Sequence, residues 1–151
     1  MRDQYRNPYL DSSIFIAWLK GEVGRHDIAT HILTLAEQQV FKINVSALTL
    51  AEVHKKRNHP PLTTEEDEMI LTYFEHDFIN IIDIDRNMGE QANRFCRQFA
   101  ILPADALHLA CALRARCDVL LTWDNRLLTL KHPDISIEAP QKIGQLSLLN
   151  I

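Results

Sequence analysis

A chain of 151 residues is long enough for one hydrophobic core and too short for two ordinary domains with a linker, so one domain over 1–151 is expected. With 46% hydrophobic and 24% charged residues, the composition excludes a disordered, collagen-like or coiled-coil design. The net charge of -4 excludes a protein that grips nucleic acid by overall positive charge; any hold on phosphate has to be local, or to work through cations gathered by carboxylates.

In chain order, the opening MRDQYRNPYLD lacks the apolar centre of a secretory signal, and no apolar run approaches the roughly 20 residues that cross a bilayer; a cytoplasmic protein without a membrane partner is expected. Apolar, β-rich runs follow near Tyr9-Leu10, at Phe41–Val45, at Phe78–Ile84, at Val119–Thr122 and at Ile135–Ile137. Between them lie helical patterns. His26–Gln38 carries the stripe Ile28, Ile32, Leu33, Leu35; Thr64–Phe74 opens on Thr-Glu-Glu; Arg86–Phe99 and Ala104–Arg116 repeat near 3.6 residues. Pro60 and Pro61 in the stretch from Asn58 to Pro61 end the preceding helix and predict an interhelical turn, and Gly21 and Gly24 are expected in turns. The tail from Pro140 to Ile151 is expected to cover one edge. Alternation of strands and helices predicts βαβ crossovers and a mainly parallel sheet covered on both faces, with ligands beyond the carboxyl ends of the strands.

Four acids stand where a strand run gives way to a helical one, or early in the helix that follows. Asp11 ends NPYLD, Glu52 lies in NVSALTLAEV, Asp105 in ILPADALHLACAL and Asp124 in VLLTWDNRLL. Taken singly, each has a plain structural role: Asp11 as a helix cap, Asp105 as an acid favoured by a helix N-terminus, Glu52 as an exposed helix residue, Asp124 as a turn former. In a parallel sheet, however, those places share one end. Carboxylates brought together repel unless protonated or bridged by cations, and hard oxygen ligands suit Mg²⁺ or Mn²⁺. Asp118 precedes the strand that Asp124 follows and belongs to the opposite end.

The blocks YLDSSIFIAWLKGE, VSALTLAEV, LPADALHLACAL and VLLTWDNRLL together resemble the four successive blocks of PIN-domain nucleases, especially the VapC-type toxins of toxin-antitoxin pairs. The resemblance runs over nearly the whole chain, each block carrying its acid in order. It implies a flavodoxin-like α/β/α sandwich with a central, mainly parallel five-stranded sheet. It further implies a Mg²⁺- or Mn²⁺-dependent endoribonuclease leaving a 5′-phosphate and a 3′-hydroxyl, a homodimer, and a small antitoxin binding near the site. By that resemblance Asp11, Glu52, Asp105 and Asp124 are the active-site and metal-binding carboxylates.

Around these acids, Ser13, Thr122 and Asn125 are expected to support the carboxylates or the substrate, with Ser12 a weaker candidate. Lys55, Lys56, Arg57 and Arg126 are the candidates for contact with RNA phosphates, followed by Arg94 and Arg97, and Trp123 for stacking on a base; a solvated helix face or core packing is the plainer role for each. The apolar faces at Ile14–Leu19 and Ile28–Leu35 are candidates for a dimer or antitoxin interface, or for the chain's own core. The three cysteines, Cys96, Cys111 and Cys117, form no CxxC pair and are expected as reduced packing residues. The seven histidines show no HExxH spacing, and His108 is expected as a packed helix residue. Asp83-Ile84-Asp85 is expected to end a strand rather than to form a phosphatase motif. Four glycines without a GxGxxG pattern give little support to nucleotide cradling. Two other readings stay open: a catalytically silent PIN-like binding module, and a phosphate-accepting receiver, weakened because no Lys stands at the last strand.

Overall fold

The structure, a computed structural model, describes residues 4–55 and 59–143. Its strands are β1 (Pro8–Leu10), β2 (Ile43–Ser46), β3 (Ile79–Ile82), β4 (Val119–Leu121) and β5 (Ser136–Glu138), joined in one sheet of order β3-β2-β1-β4-β5. Every pairing is parallel, so the sheet expected as mainly parallel is parallel throughout. The helices among the described residues are α1 (Ser12–Lys20), α2 (His26–Glu37), α3 (Ala47–Glu52), α4 (Thr64–Tyr73), α5 (Arg86–Phe99), α6 (Pro103–Arg114) and α7 (Asn125–Leu128).

Period-two alternation along the central strands divides the interior in two. Leu10, Ile43, Val45, Val119 and Leu121 pack with α1, α2 and α4 on one face; Tyr9 and Leu120 pack with α5, α6 and α7 on the other. The result is the α/β/α sandwich. Each large side chain fully withdrawn from water, such as Leu10, Ile14, Leu109 or Leu121, contributes roughly 1.5–3 kcal/mol. Ile14, Phe15, Ile16 and Ala17 of α1 and Ile32, Leu33 and Leu35 of α2 belong to the first core. The apolar faces that were candidates for an interface are therefore mostly spent inside the chain.

Local chemistry sets where the helices begin and end. Thr63 and Glu66 form a capping box that starts α4, with the Glu66 N–H donating to Thr63 Oγ1 at 3.2 Å and Glu66 Oε1 accepting from the Thr63 N–H at 3.0 Å. Gly21 ends α1 at φ 60°, a left-handed conformation that glycine adopts without steric cost. Asp85 caps α5 through the Met88 N–H at 2.9 Å and pairs with Arg114 at 2.9 Å, so the Asp83-Ile84-Asp85 run serves a helix start. Cys96, Cys111 and Cys117 are free thiols, the last two buried. Pro140 and Ile143 are buried, and the Ile143 carbonyl lies 2.8 Å from His31 Nε2, so this part of the tail packs on the first core rather than along an edge. Residues 144–151 of the tail, and Asn58 of the proline turn, lie outside the described residues.

A polar ladder crosses the strands on the second face. Asn44 Nδ2 donates to Asn7 Oδ1 at 2.6 Å and to the Pro8 carbonyl at 3.1 Å, and Asn80 Nδ2 donates to Asn44 Oδ1 at 2.9 Å. Asn7 in turn donates to the carbonyls of Ala115 and Arg116 at the end of α6. Asn44 is 3% exposed, so removing its amide leaves partners buried without hydrogen bonds. Asn44→Ala is expected to destabilise the fold by about 1–3 kcal/mol, read as a lower urea midpoint with an unchanged slope. An unshifted midpoint would mean that the ladder contributes nothing to stability.

Candidate active site

Parallel pairing brings the carboxyl ends of β1, β2 and β4 to one edge, and the expected acids lie there because each follows one of those ends or starts a helix that packs against them. Asp11 is the residue after β1, and its N–H donates to the Leu121 carbonyl of β4 at 3.2 Å, extending the pairing beyond both strands. Thr122, Trp123 and Asp124 follow β4, while β2 runs straight into α3, of which Glu52 is the last residue. Asp105 is the third residue of α6, behind Pro103, whose missing N–H costs nothing at a helix start.

Asp11 caps α1 and is held on three sides. Oδ1 accepts from the Ser13 N–H at 3.0 Å and from the Ser13 hydroxyl; Oδ2 accepts from the Thr122 hydroxyl at 2.5 Å. Thr122 Oγ1 also accepts the Asp124 N–H at 2.9 Å, so one buried hydroxyl ties the loop after β4 to the residue after β1. Ser13 and Thr122 thus both hydrogen-bond Asp11. Asp11 is only 7% exposed, and burial pushes its carboxyl above the usual range, while the hydrogen bonds from Ser13 and Thr122 and the nearby His108 pull it down.

Asp105 is in a more acidic setting with fewer hydrogen bonds. Its Oδ2 is buried with no hydrogen-bond partner. Burial raises its carboxyl most, the negative charge of Asp124 next, and Asp11 adds to them; Arg126 and His108 oppose. Asp124 caps α7, with Oδ1 accepting the Arg126 N–H at 2.9 Å and the guanidinium of Arg126 folded back at 3.4 Å. Arg126, expected toward substrate phosphates, is thereby engaged with a site carboxylate. Asn125 is the exposed first residue of α7.

Glu52 joins the group through a residue that had been read as simple packing. Its Oε1 lies 2.5 Å from His108 Nε2, and His108 Nδ1 lies 2.6 Å from the Tyr9 hydroxyl, itself 2.9 Å from Ser46 Oγ. His108 is 3% exposed, yet both ring nitrogens are occupied by polar partners. The signal was present in the sequence: His108 stands three residues after Asp105 on α6, which puts both on one face.

Asp11, Asp105 and Asp124 are thus within electrostatic reach of one another, and Glu52 is attached to the same wall. Among the described residues, no three His, Cys, Asp or Glu side chains are grouped as they would be to hold one ion. The donor set nonetheless fits a hard divalent cation in kind: carboxylate oxygens, one of them buried and bare at Asp105, and others held by hydroxyl and N–H donors. Asp118 lies at the other end of β4, where it accepts from the Asn7 N–H at 2.6 Å. A cavity of about 620 Å³ bounded by Asp118, Lys131, His132 and Asp134 lies there too, and contains none of the four acids. Arg25 stands over the half-buried Trp123 ring at 5.0 Å from its centroid. Lys55 is exposed just after α3, and Arg94 and Arg97 are exposed on α5. Lys56 and Arg57 lie outside the described residues.

The family profile of the PIN domain matches residues 9–133, from β1 to beyond α7, and so includes all four acids. The chain belongs to the PIN domain family. No curated protein matches it in sequence. Among solved structures, the PIN fold seen here is similar to a toxin-antitoxin complex from Klebsiella pneumoniae, at TM-score 0.66 and 20% identity over 90% of this chain and 99% of that one. It is also similar to VapC20 of Mycobacterium tuberculosis, described as a sarcin-ricin loop cleaving toxin, at TM-score 0.61 and 14% identity over 78% and 90% of the two chains. A third is VapBC2 of Rickettsia felis bound to a DNA fragment of its promoter, at TM-score 0.61 and 17% identity over 89% and 99%. At these identities the likeness establishes the fold. No helix among the described residues is long and apolar enough to cross a membrane.

Proposed function

We propose that this PIN domain is a Mg²⁺- or Mn²⁺-dependent endoribonuclease that hydrolyses RNA phosphodiester bonds, the toxin of a VapBC-type pair. The observation that carries the reading is the buried, unpartnered Asp105 oxygen set beside Asp124 and Asp11 in a chain that matches the PIN family over 9–133. Toxin-antitoxin complexes among the similar structures support an antitoxin partner, and the proposal includes a homodimer. Asp11, Asp105, Asp124 and Glu52 are the residues that would hold the metal. When bound, a divalent ion lowers the pKa of a water and offsets charge developing on the scissile phosphate.

The chain's own residues prepare that chemistry. Ser13 and Thr122 fix the rotamer of Asp11, and the Thr122 hydroxyl locks the backbone of Asp124 beside it. Arg126 lies against Asp124 with its side chain exposed, and its guanidinium is the kind of bidentate donor that a phosphate takes. Lys55, Lys56 and Arg57 remain candidates for holding the RNA backbone beyond the cut. Cleavage of a structured RNA by the purified protein in Mn²⁺ is expected, with loss in EDTA and recovery on adding metal back. Uncut RNA under all three conditions would leave a binding module. Arg126→Ala is expected to raise KM for RNA and to flatten the salt dependence of binding by about one phosphate contact. An unchanged salt slope would remove Arg126 from the substrate contacts.

A further inference from the structure

Tyr9 and His108 form a connection that the proposed reaction has not yet used. Glu52 is the last residue of α3, a six-residue helix, and its side chain is 31% exposed, so nothing in its own element fixes the carboxylate. What fixes it comes from the opposite side: a 3%-exposed imidazole on α6 and, behind it, a fully buried phenol on the central strand. Burial pushes the Tyr9 hydroxyl well above its ordinary pKa, so it keeps its proton.

Proton counting gives the chain a direction. The Tyr9 hydroxyl has one proton and faces His108 Nδ1 at 2.6 Å, Ser46 Oγ at 2.9 Å and the Thr49 side chain. Placed on the shorter contact, it leaves Nδ1 as an acceptor, and Nε2 is the ring nitrogen that donates to Glu52 Oε1 at 2.5 Å. The two ring contacts of His108 run from the strand to the carboxylate, and the far end is anchored in the sheet at the register pair Tyr9 and Asn44.

Resting on the metal-nuclease reading, we propose that Tyr9 and His108 are positioning residues: they hold the Glu52 carboxylate at the site by presenting the Nε2–H tautomer of His108 to it. The same side chains bind α3 to α6, so the orientation of Glu52 is set relative to Asp105, three residues before His108 on α6. The relay therefore couples an acid on one helix to an acid on another.

The direct test is the ¹⁵N side-chain spectrum of histidine-labelled protein free of metal, which needs no variant and no activity. Nε2 is expected to be protonated and Nδ1 bare; a proton on Nδ1 overturns the proposal. Cleavage then reads the consequence. His108→Leu is expected to lower kcat about 10- to 100-fold with KM for RNA little changed, the size typical of groups that orient a metal ligand. His108→Gln, whose amide can reach as Nε2 does, is expected to recover most of that loss, and Tyr9→Phe to weaken it less than His108→Leu does. Thermal unfolding of each variant shows that the fold is kept. If Glu52→Gln abolishes cleavage while His108→Leu stays fully active, the relay is overturned and the nuclease reading survives. If Glu52→Gln itself is fully active, the role of Glu52 falls and the relay's purpose with it.

Discussion

Asp11→Asn is expected to fold like the parent and to cleave RNA on the order of 10³-fold more slowly, because the several kcal/mol that a correctly held divalent ion supplies would be lost. The substitution separates two roles carried by one side chain. Asp11 is the cap of α1, and Asn is as good a cap as Asp, so the Ser13 N–H keeps its acceptor and the helix keeps its start. The negative charge is gone, and with it the attraction for a cation. Asp11→Ala removes both roles and is expected to lower stability by about 1 kcal/mol more than Asp11→Asn does. Single-turnover cleavage and urea unfolding on the two variants distinguish the roles. Full activity in Asp11→Asn would remove Asp11 from the site, whatever its value as a cap.

Asp105→Asn is expected to abolish cleavage to a similar degree while raising the melting temperature at neutral pH in the absence of metal. Asp105 makes no hydrogen bond through Oδ2, and its charge is disfavoured by burial and by Asp124. Its folded pKa therefore lies above the ordinary aspartate value of 3.8, so the folded protein binds the proton more tightly than the unfolded chain. The favourable contribution of this group is fully present below 3.8 and is lost as the pH rises through the folded pKa. The stabilisation by Asn is accordingly expected at pH 7 and expected to disappear in acid, where the parent side chain is a neutral carboxylic acid of nearly the same shape. Added Mn²⁺ reverses the order, since the parent gains by binding the ion and the variant gains less. A variant less stable than the parent at pH 7 without metal would show that the carboxylate is not under electrostatic pressure.

The sheet and the four longer crossover helices were legible because their periods are local. The runs at Tyr9-Leu10, Val119–Thr122 and Ile135–Ile137 became β1, β4 and β5 within a residue or two, and Arg86–Phe99 became α5 without change. The run Phe78–Ile84 shortened to Ile79–Ile82, because Asp85 leaves the strand to cap α5. The short helices α3 and α7 were beyond reach as helices: six and four residues are too few to display a period, and what starts them is capping by Ser46, Thr49 and Asp124 rather than an apolar stripe. In the site, Asp11, Asp105 and Asp124 could be placed from strand ends and order alone. His108 could not be assigned its partner, since Glu52 is 56 residues away and the pairing depends on how α3 lies on α6. Nor could the sequence show how Arg126 is held. Its nearest anion is Asp124, two positions before it, and the turn that starts α7 folds the guanidinium back onto that neighbour.

Strand order has one more result, which concerns the ribosome. β1 is made before the other four strands of its sheet and occupies the middle, with β4 as one of its neighbours more than a hundred residues later. Asp11 cannot receive the Thr122 hydroxyl, nor come near Asp124, until translation has passed both and the polypeptide has cleared the exit tunnel. A growing chain that has paired β1 with β2, and β2 with β3, carries Asp11 and Glu52 but neither the Thr122 hydroxyl nor the His108 ring that hold them. Products that terminate before Asp124 thus lack the assembled carboxylates.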